Sequence, residues 1–335
     1  MKKPSMWLAA VCAAVGLSAA ANAKAAETVR FAELNWESGS LITEMLRYIV
    51  EKGYGLPTET LPGTTVTLES ALAKNDIQVI GEEWAGRSPV WINAEAKGQV
   101  KGLGDIVKGA TEGWWVPAYV IHGDPAKGIK PLAPDLHSVT DLAKYKDVFR
   151  DPESPDKGRF LNSPTGWTSE VVNGQKLKAY GLNDTFTNFR AGSGAALDAE
   201  ISSAVQRGKP VLFYYWSPTP LLGRYDFVQL QEPPFDAQAW NTLTDANNPN
   251  PRPTRSLASR LSIGVSQPFE QAHPDITGFF AKVDLPIDPL NQALAGMSQK
   301  HQDPRTVAVE LLRSHPEWLK AWLPADVAGK VQGTL

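Results

Sequence analysis

The sequence predicts an α/β fold in two lobes, joined by a hinge that the chain crosses twice. Three observations carry this. Short apolar strands alternate with helical patterns from residue 28 to residue 217, an order that builds parallel sheets with helices on their faces. A chain of 335 residues exceeds what one hydrophobic core ordinarily serves, so two bodies are expected. After Ser217 the alternation stops, and loops rich in Pro and Asn lead into a helical C-terminal region, which reads as a return to the first body. The expected division is a leader at 1–25, lobe I at 26–117 with 218–335, and lobe II at 118–217.

The elements follow in order. Lys2 and Lys3, the apolar run Trp7–Ala20 and the small-residue sites at Ala21–Ala25 read as a secretory signal peptide. Thr28–Leu34 places Val29 and Phe31 in alternation, a strand. Ser40 then reads as the cap of a helix with Leu41, Ile42, Met45, Leu46 and Ile49 on one face, ended by Gly53. Thr65–Leu68 reads as a short strand before a short helix, and Ile77–Gly81 as another strand. Ser88-Pro89 is a cap followed by proline at the first helical position, opening a helix to about Gly98. In the second lobe, strands are expected at Trp114–Ile121, Arg159–Ser163, Phe186–Arg190 and Pro210–Trp216. Helices are expected at Thr140–Phe149, Thr168–Tyr180 before Gly181, and after Ser193 as far as Gly208. Strands near Arg224–Leu230 and Leu261–Val265 and at least three helices complete the chain.

Composition narrows the function. The formal net charge is -3, and no run of Lys or Arg offers a surface for nucleic acid. The single cysteine, Cys12, lies in the leader, so the exported chain is expected to carry neither a disulfide nor a thiol nucleophile. The sequence holds no G-x-S-x-G, no H-E-x-x-H and no P-loop, and its five His lack metal-ligand spacing. No cofactor and no metal is expected.

The 11 tryptophans are the informative residues. Of five of them, Trp36, Trp84, Trp115, Trp167 and Trp216, most sit where a strand gives way to a loop or helix, with Gly, Pro, Ser or Thr within a few residues. That edge is where open α/β sheets bind ligands. Indole faces suit a quaternary ammonium, which carries charge and methyl groups but no N–H to donate. Trp114 has the opposite strand parity to Trp115 and is assigned to the core. So are Trp91, Trp240, Trp318 and Trp322.

Four segments then resemble a known family: Gly-Glu-Glu-Trp-Ala-Gly-Arg-Ser-Pro (81–89), Glu-Gly-Trp-Trp-Val-Pro-Ala-Tyr-Val (112–120), Asn-Ser-Pro-Thr-Gly-Trp (162–167) and Lys-Pro-Val-Leu-Phe-Tyr-Tyr-Trp-Ser-Pro (209–218). In these the chain resembles the periplasmic glycine betaine/choline-binding proteins of ABC transporters. The resemblance implies the type II periplasmic-binding-protein fold, a partner permease in the inner membrane, and an aromatic box for a trimethylammonium head. By position Trp84, Trp167 and Trp216 match that box, while Trp36 and Trp115 match aromatic positions used in some branches. The chain departs from the family pattern at Ser88, where some members place a histidine, and at Thr168-Ser169. Thr168 and Ser169 at the start of their helix, and Arg87 by a charge-assisted pair, are candidates to hold the anionic end of the ligand. Glu33, Glu37, Glu82 and Glu83 either lend negative potential to the cleft or are paired structurally. An amino acid such as histidine, or proline betaine, is the alternative ligand. An exported hydrolase using a carboxylate pair is the alternative from another class.

Overall fold

The computed structural model describes residues 27–258 and 260–335; the expected signal peptide lies outside the described residues. Ten strands form two five-stranded sheets. The first contains β1 (Val29–Glu33), β2 (Thr58–Pro62), β3 (Val79–Trp84), β4 (Val100–Leu103) and β10 (Leu261–Ser266), in the order β2-β1-β3-β10-β4. The second contains β5 (Thr111–Pro117), β6 (Gly158–Asn162), β7 (Phe186–Arg190), β8 (Leu212–Ser217) and β9 (Phe227–Gln229), in the order β7-β6-β8-β5-β9.

Both sheets are mixed. β1 runs parallel to β2 and β3, and β6 runs parallel to β7 and β8. Each time the chain returns to a sheet from the other lobe it enters antiparallel, as β10 does beside β3 and β5 beside β8. The interior strands β8 and β10 are buried along their whole length, so they read as continuous apolar runs. The edge strand β2, Thr-Glu-Thr-Leu-Pro, is polar and largely exposed, which protects the edge from pairing with another chain.

The sheet pairing corrects the expected lobe boundaries. Thr111–Pro117 was assigned to lobe I, but its partners are Phe213–Ser217 and Phe227–Gln229 in the second sheet. The crossings therefore lie at 104–110 and between β9 and β10, not near 117 and 217. Periodicity identifies a strand but says nothing about which sheet it joins, and here the partner is about a hundred residues away. Two smaller corrections follow, the first from a polar edge strand and the second from helix capping. The strand expected at Thr65–Leu68 is a helix, Thr65–Ala73, and the strand is the polar β2 before it. The second concerns the first long helix, which begins at Glu37 rather than after Ser40. It ends at Gly55, in the left-handed region with φ 74°, and not at Gly53. The Ser40 hydroxyl donates back to the carbonyls of Leu34 and Trp36, so Trp36 itself is the N-cap.

Six helices follow β10, from Gln267–Ala272 to Ala325–Gln332. They join β1, β10 and the Glu37–Ile49 helix in one apolar core that includes Trp318 and Trp322. Trp240 packs with Val172 and Leu243. Trp91 and Trp114 are fully buried. The second lobe's core continues through Trp36, Trp167 and Trp216 into Leu34, Leu68 and Ile80 of the first.

Candidate functional site

The tryptophan positions follow from where the elements start and stop. Trp36 and Trp167 are both helix N-caps in extended backbone, one on each lobe. Trp84 ends β3, and Trp216 stands next to the last residue of β8. Gly166 holds φ 93°, and a Cβ there would lie 2.7 Å from Thr64 of the first lobe. Only glycine allows that turn and that approach together, and the turn is what swings Trp167 into the cleft. Gly194, opening the next helix, lies close enough to the Asn35 carbonyl that a Cβ would sit 3.0 Å away.

These elements enclose a cavity of ≈ 580 Å³ between the lobes, counting its open mouth. Trp36, Trp84, Trp167 and Trp216 all line it, with Tyr214 beside them. The rings of Trp36 and Trp167 meet edge to face at 5.2 Å across the cleft, and Trp167 meets Trp216 in the same way at 5.2 Å. Tyr214 stacks beside Trp216 at 6.0 Å. The indole N–H of Trp167 donates to Asn35 Oδ1 at 2.8 Å, a bond from one lobe to the other. The N–H groups of Trp36 and Trp84 both donate to Oε1 of Glu82, at 2.9 and 3.0 Å.

The charged groups in the wall are mostly acidic. Glu69, Glu82 and Glu83 line the cavity with Arg87, and all four are buried. Burial pushes the Glu69 carboxyl up to about 7, while the Ser88 hydroxyl and the backbone N–H of Trp91 pull it down. Burial, with the neighbouring acids Glu69 and Glu95, raises Glu83 further. Glu82 is raised by burial too, opposed by Ser38, Trp36 and Trp84. Arg87 lines the same cavity, and its charge opposes the rise of Glu83. It forms a buried ion pair with Glu112, donates to the Leu257 carbonyl at 3.2 Å, and lays its guanidinium 4.6 Å from the Trp84 ring. Burial works to raise Glu112, but Arg87 and Lys176 overcome it and hold the carboxyl below its usual range. Arg87 is therefore paired with Glu112 and lies over the Trp84 ring.

Among the residues singled out in the sequence, Trp36, Trp84, Trp167, Trp216, Arg87, Thr168 and Ser169 line the cavity. Thr168 Oγ1 is buried without a hydrogen-bond partner, and Ser169 Oγ lies 2.9 Å from Ser163 Oγ. Trp115 is not among the lining residues. Its N–H donates to the Tyr215 carbonyl at 3.2 Å. Strand parity separated Trp115 from Trp114 correctly; it could not show that the cavity lies on neither residue's face. Tyr214, Glu69 and Asn35 are among the lining or supporting residues that were not singled out. Tyr214 shares a strand face with Trp216 at a spacing of two, a signal the sequence does carry. Glu69 reads as the polar side of a short helix, and Asn35 as a loop residue; neither announces itself.

A two-lobed α/β body with an aromatic cavity at the cleft is the setting in which the comparisons with known proteins fall. Residues 27–314 match the family model described as the substrate binding domain of ABC-type glycine betaine transport systems. The chain belongs to this family. It is similar to the trimethylamine N-oxide-binding protein of Pelagibacter ubique, 27% identical over 284 residues, covering 84% of this chain and 85% of that one. It is also similar to the glycine betaine/proline betaine-binding periplasmic protein of Escherichia coli, 26% identical over 213 residues, or 58% of this chain and 62% of the relative. The fold matches that of a glycine betaine/L-proline-binding protein from Borrelia burgdorferi, with a TM-score of 0.71 at 20% identity, covering 91% of this chain and all of that one. A choline-binding protein solved with choline gives a TM-score of 0.71 at 16% identity, covering 92% and 97%. Membership places the chain among substrate-binding components of transporters. Among the described residues, no helix is long and apolar enough to cross a membrane.

Proposed function

We propose that this protein captures a small trimethylammonium compound between its lobes in the periplasm and presents it to the membrane permease of an ABC importer. One observation supports this reading most: four indoles from both lobes converge on a single cavity whose other charged wall groups are mainly carboxyls. A quaternary ammonium gains nothing from hydrogen-bond acceptors, but each indole face contributes roughly 0.5–2 kcal/mol. Four faces supply several of the roughly 8 kcal/mol that a micromolar dissociation constant requires. The names of the relatives, which mention trimethylamine N-oxide, glycine betaine and choline, point to the same head group. Thr168, Ser169 and the raised carboxyl of Glu69 are the groups available to the other end of the ligand.

Trp36 and Trp84 sit on one lobe and Trp167 and Trp216 on the other, so neither lobe alone completes the box. Ligand then favours the closed arrangement and shifts the population towards it, which lets a permease distinguish loaded from empty protein. The test is calorimetry of the purified exported chain against choline, glycine betaine, trimethylamine N-oxide, dimethylglycine, sarcosine, glycine, proline betaine and histidine. Affinity is expected to rise with each added methyl group on nitrogen. Equal affinity for glycine and glycine betaine would overturn the reading, and tightest binding of histidine would replace it.

A further inference from the structure

Glu82 is the one wall carboxyl bonded to the cage itself. It stands in β3, the interior strand beside β1 and β10, and is 1% exposed. Its Oε1 takes both indole N–H groups, from Trp36 at the N-cap and from Trp84 at the strand end. These two residues come from different elements, so a single oxygen fixes the mutual angle of the two first-lobe rings. Its other oxygen, Oε2, is buried without a hydrogen-bond partner, in a residue that lines the cavity. The Ser38 hydroxyl lies near this carboxyl, but a hydroxyl offsets only part of the cost of a buried charge, and a nearby positive charge offsets more. The one guanidinium in the wall is already paired with Glu112.

We propose that Glu82 is the residue that makes this cavity select for positive charge, with its indole-bonded oxygen orienting Trp36 and Trp84 and its second oxygen facing the bound cation. The inference rests on the trimethylammonium reading above and adds to it the source of the charge requirement. Cation–π attraction rewards a cation at each ring, but a full carboxylate in a dry cavity acts over a longer range and more strongly. The neighbouring acids are less suited to this role. Glu69 is taken by the Ser88 hydroxyl, and Glu83 stands among the acids Glu69, Glu82 and Glu95. Burial raises Glu82 as well, against the pull of Ser38 and the two indole donors; what sets it apart is contact with the rings, since of the three acids it is the one that accepts from cage indoles.

The test compares each cation with its carbon isostere, in which C replaces N+ and the shape is kept. The pairs are choline with 3,3-dimethylbutan-1-ol, and glycine betaine with 3,3-dimethylbutanoate, measured by calorimetry on the wild-type protein and Glu82→Gln. The glutamine carbonyl still accepts both indole N–H groups, so the rings keep their places while the charge goes. The cation-to-isostere preference is expected to fall at least tenfold in Glu82→Gln, with affinity for the isostere held or improved. If both members of a pair weaken together and their ratio stands, Glu82 only positions the rings; the inference fails while the trimethylammonium reading survives. If the wild-type protein binds none of the four, both fail. Glu82→Asp keeps the charge and shortens the reach to the indoles. It is expected to weaken both members of a pair and keep their ratio within a few fold, so a collapsed ratio there overturns the inference even if Glu82→Gln does not fold.

Discussion

On the first lobe two indoles share one carboxylate oxygen, whereas on the second two indoles hold each other. Trp36 and Trp84 are fixed through Glu82, and Trp84 is backed by Arg87, itself paired with Glu112. Trp167 and Trp216 are fixed by ring edges at 5.2 Å and by Tyr214, and the polar tie of Trp167 runs across the cleft to Asn35. The difference teaches that shape and charge are supplied from opposite sides of one cavity. Aromatic edges position rings without burying a charge. A charged frame needs every partner in place, because one missing partner leaves an uncompensated buried ion.

The most direct way to break the comparison is to remove Arg87. Arg87→Gln leaves Glu112 buried with the Tyr214 hydroxyl, 2.5 Å away, the Ser256 hydroxyl and the field of Lys176, but without its paired cation. Stability is expected to fall by about 3–5 kcal/mol, measured by urea unfolding. Adding Glu112→Gln to the same chain is expected to recover more than half of the loss. A single variant within about 1 kcal/mol of the wild-type protein would show that the first lobe does not depend on a charged frame.

The aromatic half is tested by Trp167→Ala. The variant loses one cage face, the ring edges against Trp36 and Trp216, and the bond to Asn35. Affinity for the bound trimethylammonium compound is expected to fall by about 2–4 kcal/mol, with circular dichroism unchanged. Trp84→Ala, which leaves the other three rings touching, is expected to cost about 1–3 kcal/mol. Equal losses would mean that Trp167 contributes a face and nothing more.

A pH series sharpens the same contrast at the second mouth of the cleft. Asp198 of the second lobe and Glu37 of the first line one groove there. Asp198 Oδ1 accepts the Tyr215 hydroxyl at 2.7 Å, and its Oδ2 has no partner. Burial, then the charge of Glu37, pushes Asp198 up to about 8, with Arg224 pulling the other way; burial raises Glu37 as well. A folded pKa above the unfolded value of about 4 means a contribution fully present below about pH 4 and lost as pH rises through about 8. Asp198→Asn keeps the Tyr215 bond and removes the titration. Its stability is expected to decline less between about pH 5 and pH 9 than that of the wild-type protein. Equal slopes would assign the decline to other groups.

Much of this was legible in the sequence. Turn and cap chemistry carried Ser88-Pro89, Ser193 and Gly181 to their observed roles, because capping is local. Strand-end position identified four of the cavity's indoles, since sheet edges and helix starts are also local features. Pairing is not local. The place of Thr111–Pro117 in the second sheet depends on contacts with residues about a hundred positions away. The role of Glu82 was equally hidden, because Gly-Glu-Glu-Trp does not show which glutamate meets an indole 46 positions earlier. Arg87 lines the cavity, and its ion pair with Glu112 was hidden because that partner lies 25 positions on and in the other sheet.

The smallest expected effect belongs to Trp115, and it decides whether strand-end position alone makes an indole part of the cage. Trp115 stands on β5 opposite Phe213 and Gln229, and its N–H is spent on the Tyr215 carbonyl. It touches the same β8 strand that carries Trp216, yet it is not among the cavity's lining residues. Trp115→Phe keeps most of the apolar packing and loses one hydrogen bond. Stability is expected to fall by about 1 kcal/mol, and affinity for the bound trimethylammonium compound to stay within about 0.5 kcal/mol of the wild-type value. Urea unfolding and calorimetry measure the two effects separately. A tenfold loss of affinity with stability intact would place Trp115 at the ligand and give the second lobe a third ring. It would also end the division in which that lobe holds its share of the cage through Trp167 and Trp216.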